Sequence, residues 1–298
     1  MSIAVLQQPG EAPGEAPGPG RPALWRGLMA APDGRVGVGL TVAMLLLIVF
    51  GPLAAPYSPT AINLAPANQP PSFEHLLGAD HLGRDVFSRF LWGGRSILAI
   101  PLMAVILTYA TAGLLSLVAT YRGGAVDLVV CRFFELMMSL PALLKILLLV
   151  AAFGPTTGVL IVAIAITNMP GASRVVRGAV LGEIRADYVQ AAQARGEATL
   201  SVVVREILPN VLGPVAADFA LRITWGIIAL STLSFLGLGV QPPEADWGLM
   251  IQESRSSLQK APLITILPAM AIAALSIGLN LASDALVRHV TSQGNGRR

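Results

Sequence analysis

Long apolar stretches separated by short polar segments dominate the hydrophobic pattern of this chain. A membrane-spanning helix needs about 20 mostly apolar residues. Six stretches meet that requirement: 36–56, 96–119, 126–153, 157–174, 211–237 and 263–287. The third is longer than one span, which makes its ends hard to place. Because backbone polar groups inside lipid must be satisfied within the chain, the pattern predicts an all-α membrane protein, a six-helix transmembrane bundle.

Composition supports a location in a lipid bilayer. Only 12% of the 298 residues are charged and 54% are hydrophobic, whereas soluble domains carry about 25% charged residues. The net charge of +3 comes from scattered basic residues that are not interleaved with aromatics. We therefore expect no nucleic-acid partner. Cys131 is the only cysteine, so an intrachain disulfide is excluded, and its apolar setting favours an inert thiol.

The distribution of Lys and Arg predicts the orientation of the bundle, because these residues are enriched in cytoplasmic loops. With the N-terminus inside, twelve of them lie in inner segments and five in outer loops. An even number of spans then places both termini and the polar segment 174–210 in the cytoplasm. The outer loops are 57–95 and 238–262.

This topology divides the chain into four parts. A Pro- and Gly-rich stretch near the start cannot bury a core and is predicted to be disordered. The parts are a cytoplasmic N-terminal tail at 1–34, a first transmembrane helix with its outer loop at 35–95, a transmembrane domain at 96–290 and a C-terminal tail at 291–298.

Two pairs of opposite charges fall in or near the predicted spans. Arg132 and Glu135 are three residues apart, and Asp218 and Arg222 are four apart, so each pair shares one helix face. Charged groups in a membrane tend to face a bundle interior or water. Each pair could line a translocation path, or it could be a structural pair near the membrane boundary. We assign Asp218 and Arg222 to the path as a hypothesis.

The sequence offers no constellation for catalysis. A Walker-type phosphate loop, a His-Glu-x-x-His motif and a Gly-x-Ser-x-Gly motif are all absent. His75, Asp80, His81 and Asp85 cluster in the first outer loop and resemble a set of metal ligands. Arg84 lies among them, which favours a hydrogen-bonded loop over a metal site. We predict neither catalytic residues nor a bound metal.

The polar segment 174–210 has the form of a docking element. It contains a short helix with small residues (YVQAAQARG, 188–196), a glycine break, and a second helix with an Ile-Leu-Pro sequence at 207–209. This pattern resembles the EAA loop of ABC-importer permeases, whose matching positions here are Gln190, Ala191, Ala192, Gly196, Leu208 and Pro209. Gln190 replaces the usual Glu, which removes one charge but keeps the hydrogen-bonding capacity.

Two outer motifs narrow the resemblance. HLLGADHLGRDVFSR at 75–89 and LSFLGLGVQPP at 233–243, followed by Trp247 and Gly248, are similar to signatures of the C-type permease subunits of dipeptide, oligopeptide and nickel importers. The resemblance covers about 35–290. The C-terminus departs from it, because the Leu-Asp-Pro that often closes such chains is missing.

The resemblance implies the fold of a type I ABC importer permease and a set of partners. These are a homologous B-type permease, two ATPase subunits that bind ATP and Mg²⁺, and an extracytoplasmic solute-binding protein, while this chain binds no cofactor. We expect a coupling helix near 189–199, with Arg195 and Glu197 forming ion pairs at its rim. The outer loops would meet the binding protein through Asp80, Arg84, Asp85 and Trp247. Trp247 could instead belong to a membrane-interface belt.

Other functions stay open at this point. Nickel or another small solute could replace peptide as the substrate. A self-sufficient secondary transporter would work alone, through a proton relay that uses Asp218 and Glu135. A membrane enzyme is disfavoured by the missing site chemistry. Partner ATPases and ATP-dependent uptake distinguish the first class from the second.

Overall fold

A computed structural model describes residues 32–295 except 256, 257 and 260. Residues 1–31 of the predicted N-terminal tail and the last three residues of the C-terminal tail lie outside this part. The remainder of the predicted N-terminal tail, from Pro32, is helical. In the described residues the regular structure is helical, in agreement with the predicted all-α fold.

The first half of the chain forms two spans and a long outer loop. Helix α1 (Pro32–Phe50) runs into a 3₁₀ turn at Gly51–Ala54. After the loop, α2 (Val86–Thr108), a π-helical turn (Tyr109–Gly113) and α3 (Leu114–Arg122) join into one span of 37 residues. This span begins ten residues before the predicted start at 96, because the polar residues of its first turns are buried against the outer loops instead of facing lipid.

The third predicted span is a broken helix. It consists of α4 (Gly124–Met138) and α5 (Ala142–Phe153), which meet at an angle of 83°. The break falls at Ser139–Pro141, since the residue before a proline disfavours helical backbone angles. Lys145 donates a 3.0 Å hydrogen bond to the carbonyl of Met137 and so satisfies the end of α4. In the described residues, five helices are long and apolar enough to cross a membrane, and the number rises to six if this bent pair counts as one span.

The second half of the chain supplies three long helices. Helix α6 (Thr157–Glu183) leads through the short α7 (Asp187–Ala194) and α8 (Thr199–Val202) into a π-helical turn (Val203–Ile207) and α9 (Leu208–Phe235). The short helix α10 (Trp247–Glu253) precedes α11 (Pro262–Asn295). The polar segment 174–210 is therefore mostly helical, and α6 extends nine residues beyond the predicted end of its span at 174.

Two apolar clusters hold the helices together. The larger one joins α2, α5, α6, α9, α10 and α11 and includes Trp247, Ile97, Ile164 and Leu230. The smaller one joins α3, α6, α7 and the start of α9. Helix α1 packs against α11. Four prolines lie inside continuous helices (Pro101, Pro170, Pro214 and Pro268), and Pro141 coincides with the 83° break.

Candidate functional site

Helix α7 lies across the smaller apolar cluster. Val189 and Ala192 have no exposed surface and pack with Val180 of α6 and with Ile207 of the π-helical turn before α9. Gln190 and Ala191 face outward and are exposed. Because successive helical residues are about 100° apart, the two predicted contact alanines point in different directions. Ala192 therefore belongs to the internal support, which corrects its predicted role as an outward contact.

The C-terminal end of α7 is fixed by a glycine. Gly196 has a φ of +75°, its N–H donates to the carbonyl of Gln193 at 2.9 Å, and the N–H of Glu197 donates to the carbonyl of Ala192 at 3.2 Å. These two bonds form a Schellman motif, which ends a helix at a left-handed residue. The helix consequently ends at Ala194, five residues before the expected end at 199.

The remaining predicted coupling residues surround this end. Arg195 and Glu197 form an ion pair with each other at 2.7 Å. Leu208 is partly buried against the smaller apolar cluster, and Pro209 is exposed. Gln190 donates to the carbonyl of Arg185 at 3.1 Å, so its amide stabilises the connection before α7.

The hydroxyl of Tyr188, which is not one of the matched motif positions, connects α7 to both neighbouring helices. The hydroxyl of Tyr188 donates to the carboxylate of Glu183 at the end of α6. It accepts a 3.1 Å bond from the side-chain amide of Asn210 at the start of α9. Partial burial and the nearby Glu183 carboxylate raise the pKa of Tyr188. A separate 3.3 Å bond joins Gln193 of α7 to the hydroxyl of Tyr121 in α3.

At the other end of the bundle, four charged side chains form a buried, neutral cluster. Glu253 of α10 accepts hydrogen bonds from Arg84 at 2.8 Å and from Arg89 at 2.9 Å. Asp80 pairs with Arg84 and lies 3.7 Å from Arg89. Both arginine side chains are almost completely buried. The cluster joins the first outer loop to α10, and the sequence motif reveals neither Arg89 nor Glu253 as its members.

The histidine in this loop is part of a hydrogen-bonded arrangement. His75 Nδ1 lies 2.8 Å from Asp85 Oδ1, and the other oxygen of Asp85 accepts the N–H of Ser88 at 2.7 Å. Asp85 thereby caps the N-terminus of α2. In the described part of the chain, no group of three or more His, Cys, Asp or Glu side chains is placed to hold a metal ion.

Trp247 is enclosed within the subunit. Its side chain has no exposed surface, its ring stacks on Phe90 with centroids 5.6 Å apart, and its indole N–H donates to the Phe90 carbonyl at 2.8 Å. Asp80, Arg84 and Asp85 are also buried. A docked protein would not touch these four side chains, because the loops that they hold together cover them. The four side chains predicted to contact the binding protein are therefore buried within the subunit.

Asp246 supports the same region from the preceding turn. It caps α10 by accepting the N–H of Leu249 at 3.0 Å, and it accepts the hydroxyl of Ser96 at 2.8 Å. Burial raises the pKa of this carboxyl group. The cap links α10 to α2.

Within the membrane region, a polar cluster joins α2, α6 and α9. Asp218 and Arg222 form the predicted pair, with one N–H···O distance of 3.2 Å. Tyr109, in the π-helical turn, donates to Asp218, and Arg222 donates to the carbonyl of Asn168 at 3.0 Å. Gly171 makes room for the guanidinium, because a Cβ atom there would lie 2.8 Å from its terminal nitrogens. The second predicted pair, Arg132 and Glu135, is bonded at 2.8 Å but exposed.

An open groove of about 360 Å³ runs beside this polar cluster. Its polar wall includes Arg222 and Asn168, together with Thr167 and Thr232, whereas Asp218 does not line it. The apolar wall comes from Leu143, Ile146, Ile164 and Trp225. An apolar surface with a few polar groups is typical of small-molecule sites.

Comparison with known proteins identifies the family to which this chain belongs. Residues 110–292 match the family of the binding-protein-dependent transport system inner membrane component. The chain belongs to this permease family. The permease is 34% identical over 263 residues to the dipeptide transport system permease protein DppC of Bacillus subtilis, covering 88% of this chain and 82% of the relative. It is 35% identical over 253 residues to the glutathione transport system permease protein GsiD of Pectobacterium atrosepticum, covering 84% of each.

Solved structures agree with the fold of the permease. The MetNI methionine ABC transporter in inward-facing conformations aligns with a TM-score of 0.56 at 14% identity, over 68% of this chain and 96% of that one. An amino acid ABC transporter with histidines gives a TM-score of 0.51 at 16% identity, over 66% and 91%. The permease is therefore a multi-pass protein of the cell membrane with the fold of ABC importer permeases, as its motifs indicated.

Proposed function

We propose that this permease is one of two transmembrane subunits of an ABC importer for dipeptides and oligopeptides. The dipeptide and glutathione permeases among its relatives support this substrate class. A homologous B-type permease completes the pathway, and a solute-binding protein delivers the substrate from outside. The chain is not catalytic and holds no cofactor, since two partner ATPases bind ATP and Mg²⁺. The excess of basic residues supports cytoplasmic termini and a cytoplasmic position for 174–210.

The observation that carries the proposal is that α7 has one buried face and one exposed face. Its inner face is locked into the apolar cluster through Val189 and Ala192, and its outer face presents the small side chain of Ala191. A small residue on an exposed face permits close approach of another protein, whereas a large one would overfill the contact. In this proposal α7 sits in a groove of the ATPase, with Arg195, Gly196 and Glu197 at the rim.

Replacing Ala191 by Arg tests this contact. The side chain is exposed, so Ala191→Arg leaves the apolar cluster intact and adds bulk and charge only where the ATPase would dock. We expect the ATPase subunits to be lost when the permease is purified through an affinity tag in detergent. Ala99→Arg, at an exposed position near the outer groove, is the matched control and should retain them. Full retention of the ATPases by Ala191→Arg would refute docking through α7.

Transport itself is tested with the complete complex in lipid vesicles. Labelled dialanine should accumulate only with ATP inside the cytoplasmic compartment and with the binding protein on the opposite side. The isolated chain should accumulate nothing. ATP-independent accumulation by the lone chain would instead establish a secondary transporter, and failure of the complex to move any labelled dipeptide or oligopeptide would refute the peptide assignment.

The binding-protein surface is proposed to lie next to the buried charge cluster. An outer groove of about 450 Å³ includes Trp92, Arg95 and Glu244 in its wall, and the guanidinium of Arg95 lies 4.6 Å from the centre of the Trp92 ring. Arg95 and Glu244 are exposed, so a docked protein can reach them. Reversing both charges should lower uptake driven by the binding protein while basal ATP hydrolysis stays unchanged. Unaltered uptake would exclude this surface.

A further inference from the structure

We propose that the Tyr188 hydroxyl is a positioning group that makes α7 move as one body with α6 and α9, so that force applied to α7 reaches two membrane spans together. The inference rests on the proposed function, in which α7 receives that force. It assigns a role to a side chain that lies outside the coupling residues named so far.

The hydroxyl is the point at which three helices meet. Tyr188 lies in the first turn of α7 and donates to Glu183 at the last residue of α6. It accepts from Asn210, whose amide also donates to the Glu206 carbonyl at 2.8 Å before α9. A hydroxyl carries one donor and can accept in addition, so this single atom serves both neighbours.

Apolar packing alone does not fix the rotation of α7 about its own axis, whereas the hydrogen bonds of the Tyr188 hydroxyl do. The contacts of Val189 and Ala192 with the smaller cluster hold α7 against α6 and α9, but van der Waals packing is not directional. Hydrogen bonds weaken steeply as their angle changes. The two bonds of Tyr188 therefore fix the rotation of α7 on its support. The connection from α6 to α7 is only three residues long, so the bonds close a short and stiff loop.

The position of Tyr188 suits an internal link. Its side chain is 39% exposed, so removal of the hydroxyl creates no cavity in the apolar cluster. Glu183 and Asn210 lie on opposite sides of α7 in sequence, which means that both bonds cross between elements instead of stabilising α7 alone. Replacing Tyr188 by Phe removes both hydrogen bonds and keeps the aromatic ring.

The first experiment measures coupling with the complete complex in vesicles. Tyr188→Phe should retain its ATPase subunits and hydrolyse ATP, but the amount of labelled dialanine moved per ATP should fall roughly tenfold, the effect expected from the loss of two hydrogen bonds that each contribute modestly to stability. Asn210→Ala should lower the ratio less, because it removes one of the two bonds. Tyr57→Phe in the outer loop is the matched control and should leave the ratio unchanged. An unchanged ratio in Tyr188→Phe would overturn the proposal.

A second experiment does not depend on the substrate. Spin labels are attached at exposed Gln193 of α7, on the side away from Ala191, and at Leu212 of α9 after Cys131→Ser, and their separation is measured without nucleotide and with ATP trapped. The chain with Tyr188 should give one narrow distance distribution in both states, whereas Tyr188→Phe should broaden it. Equal widths for the two chains would refute the link even if peptide is not the substrate. Loss of dialanine uptake by the wild-type complex would instead refute only the substrate assignment.

Discussion

The indole N–H of Trp247 donates a 2.8 Å hydrogen bond to the backbone carbonyl of Phe90, and this bond ties α10 to the first turns of α2. Two glycines of α2 make the contact possible. A Cβ atom at Gly93 would lie 2.8 Å from the Trp247 ring, and one at Gly94 would lie 2.8 Å from the ring and 2.6 Å from Ile48. The buried Trp247 side chain thus holds α10 against α2.

We predict that Gly94→Ala destabilises the permease. The added methyl group would meet two fully enclosed side chains, and overpacking of this kind costs about 1–3 kcal/mol. Thermal unfolding in detergent measures the effect, and Gly39→Ala is the control, since a Cβ atom there meets nothing within 4 Å. Equal melting temperatures for both variants would contradict the tight fit around Trp247.

The buried charge cluster gives a second prediction. Glu253→Gln leaves Arg84 and Arg89 with one fewer carboxylate in a buried site, and breaking a buried ion pair costs about 3–5 kcal/mol. Glu135→Gln removes a carboxylate from an exposed pair, which is expected to cost less than about 1 kcal/mol. The difference between the two losses in unfolding free energy is the test. Similar small losses would show that water reaches the buried cluster.

Much of this architecture can be predicted from the apolar pattern, because lipid exposure requires long uninterrupted runs. Five of the six predicted spans are single long apolar helices in the described residues, the other is the bent pair α4 and α5, and both charge pairs formed as their spacing predicted. The start of α2 was missed because Arg89 and Arg95 suggested an aqueous loop. One of these side chains is in fact neutralised inside the protein by Glu253, 164 residues away. No local pattern contains that pairing.

The structure of the polar segment 174–210 was predicted only in part for a similar reason. The motif located the short helix and its terminal glycine, since both depend on local backbone preferences. The direction in which Ala191 and Ala192 point depends on the helix phase relative to α6 and α9. The hydroxyl contacts of Tyr188 depend on the same packing, so they became visible only in the folded structure.

A third prediction concerns the polar cluster in the membrane. Gly171→Ala would place a methyl group 2.8 Å from the Arg222 guanidinium, which is a flexible side chain and can shift. We expect less than about 1 kcal/mol of destabilisation but a reduced transport rate, because Arg222 loses its bond to Asn168 and moves in the groove wall. Gly178→Ala on the same helix is the control, with no neighbour within 4 Å. Identical uptake by the two variants would show that Arg222 is not part of the translocation pathway.

A fourth prediction follows from the raised pKa of Tyr188. The folded value lies above the ordinary value of about 10, so the stabilising protonated hydroxyl is fully present below that pH and is lost only as the pH rises through the folded pKa. Ionisation of Tyr188 should therefore leave the ratio of substrate moved to ATP hydrolysed constant between roughly pH 7 and pH 9. The Tyr188→Phe variant should show the same flat profile at a lower level. If this ratio fell within that pH range only in the protein with Tyr188, the result would contradict the positioning role of the protonated hydroxyl.

The helical stretch from Thr199 to Phe235 counts 37 residues, which corresponds to a length of about 55 Å at 1.5 Å per residue. The hydrocarbon core of a bilayer is only about 30 Å thick. A rod of this length turns small angles into large displacements, and a tilt of about 5° moves its far end by about 5 Å. A slight rocking at one membrane face is thus enough to open or close a passage for a small solute at the other.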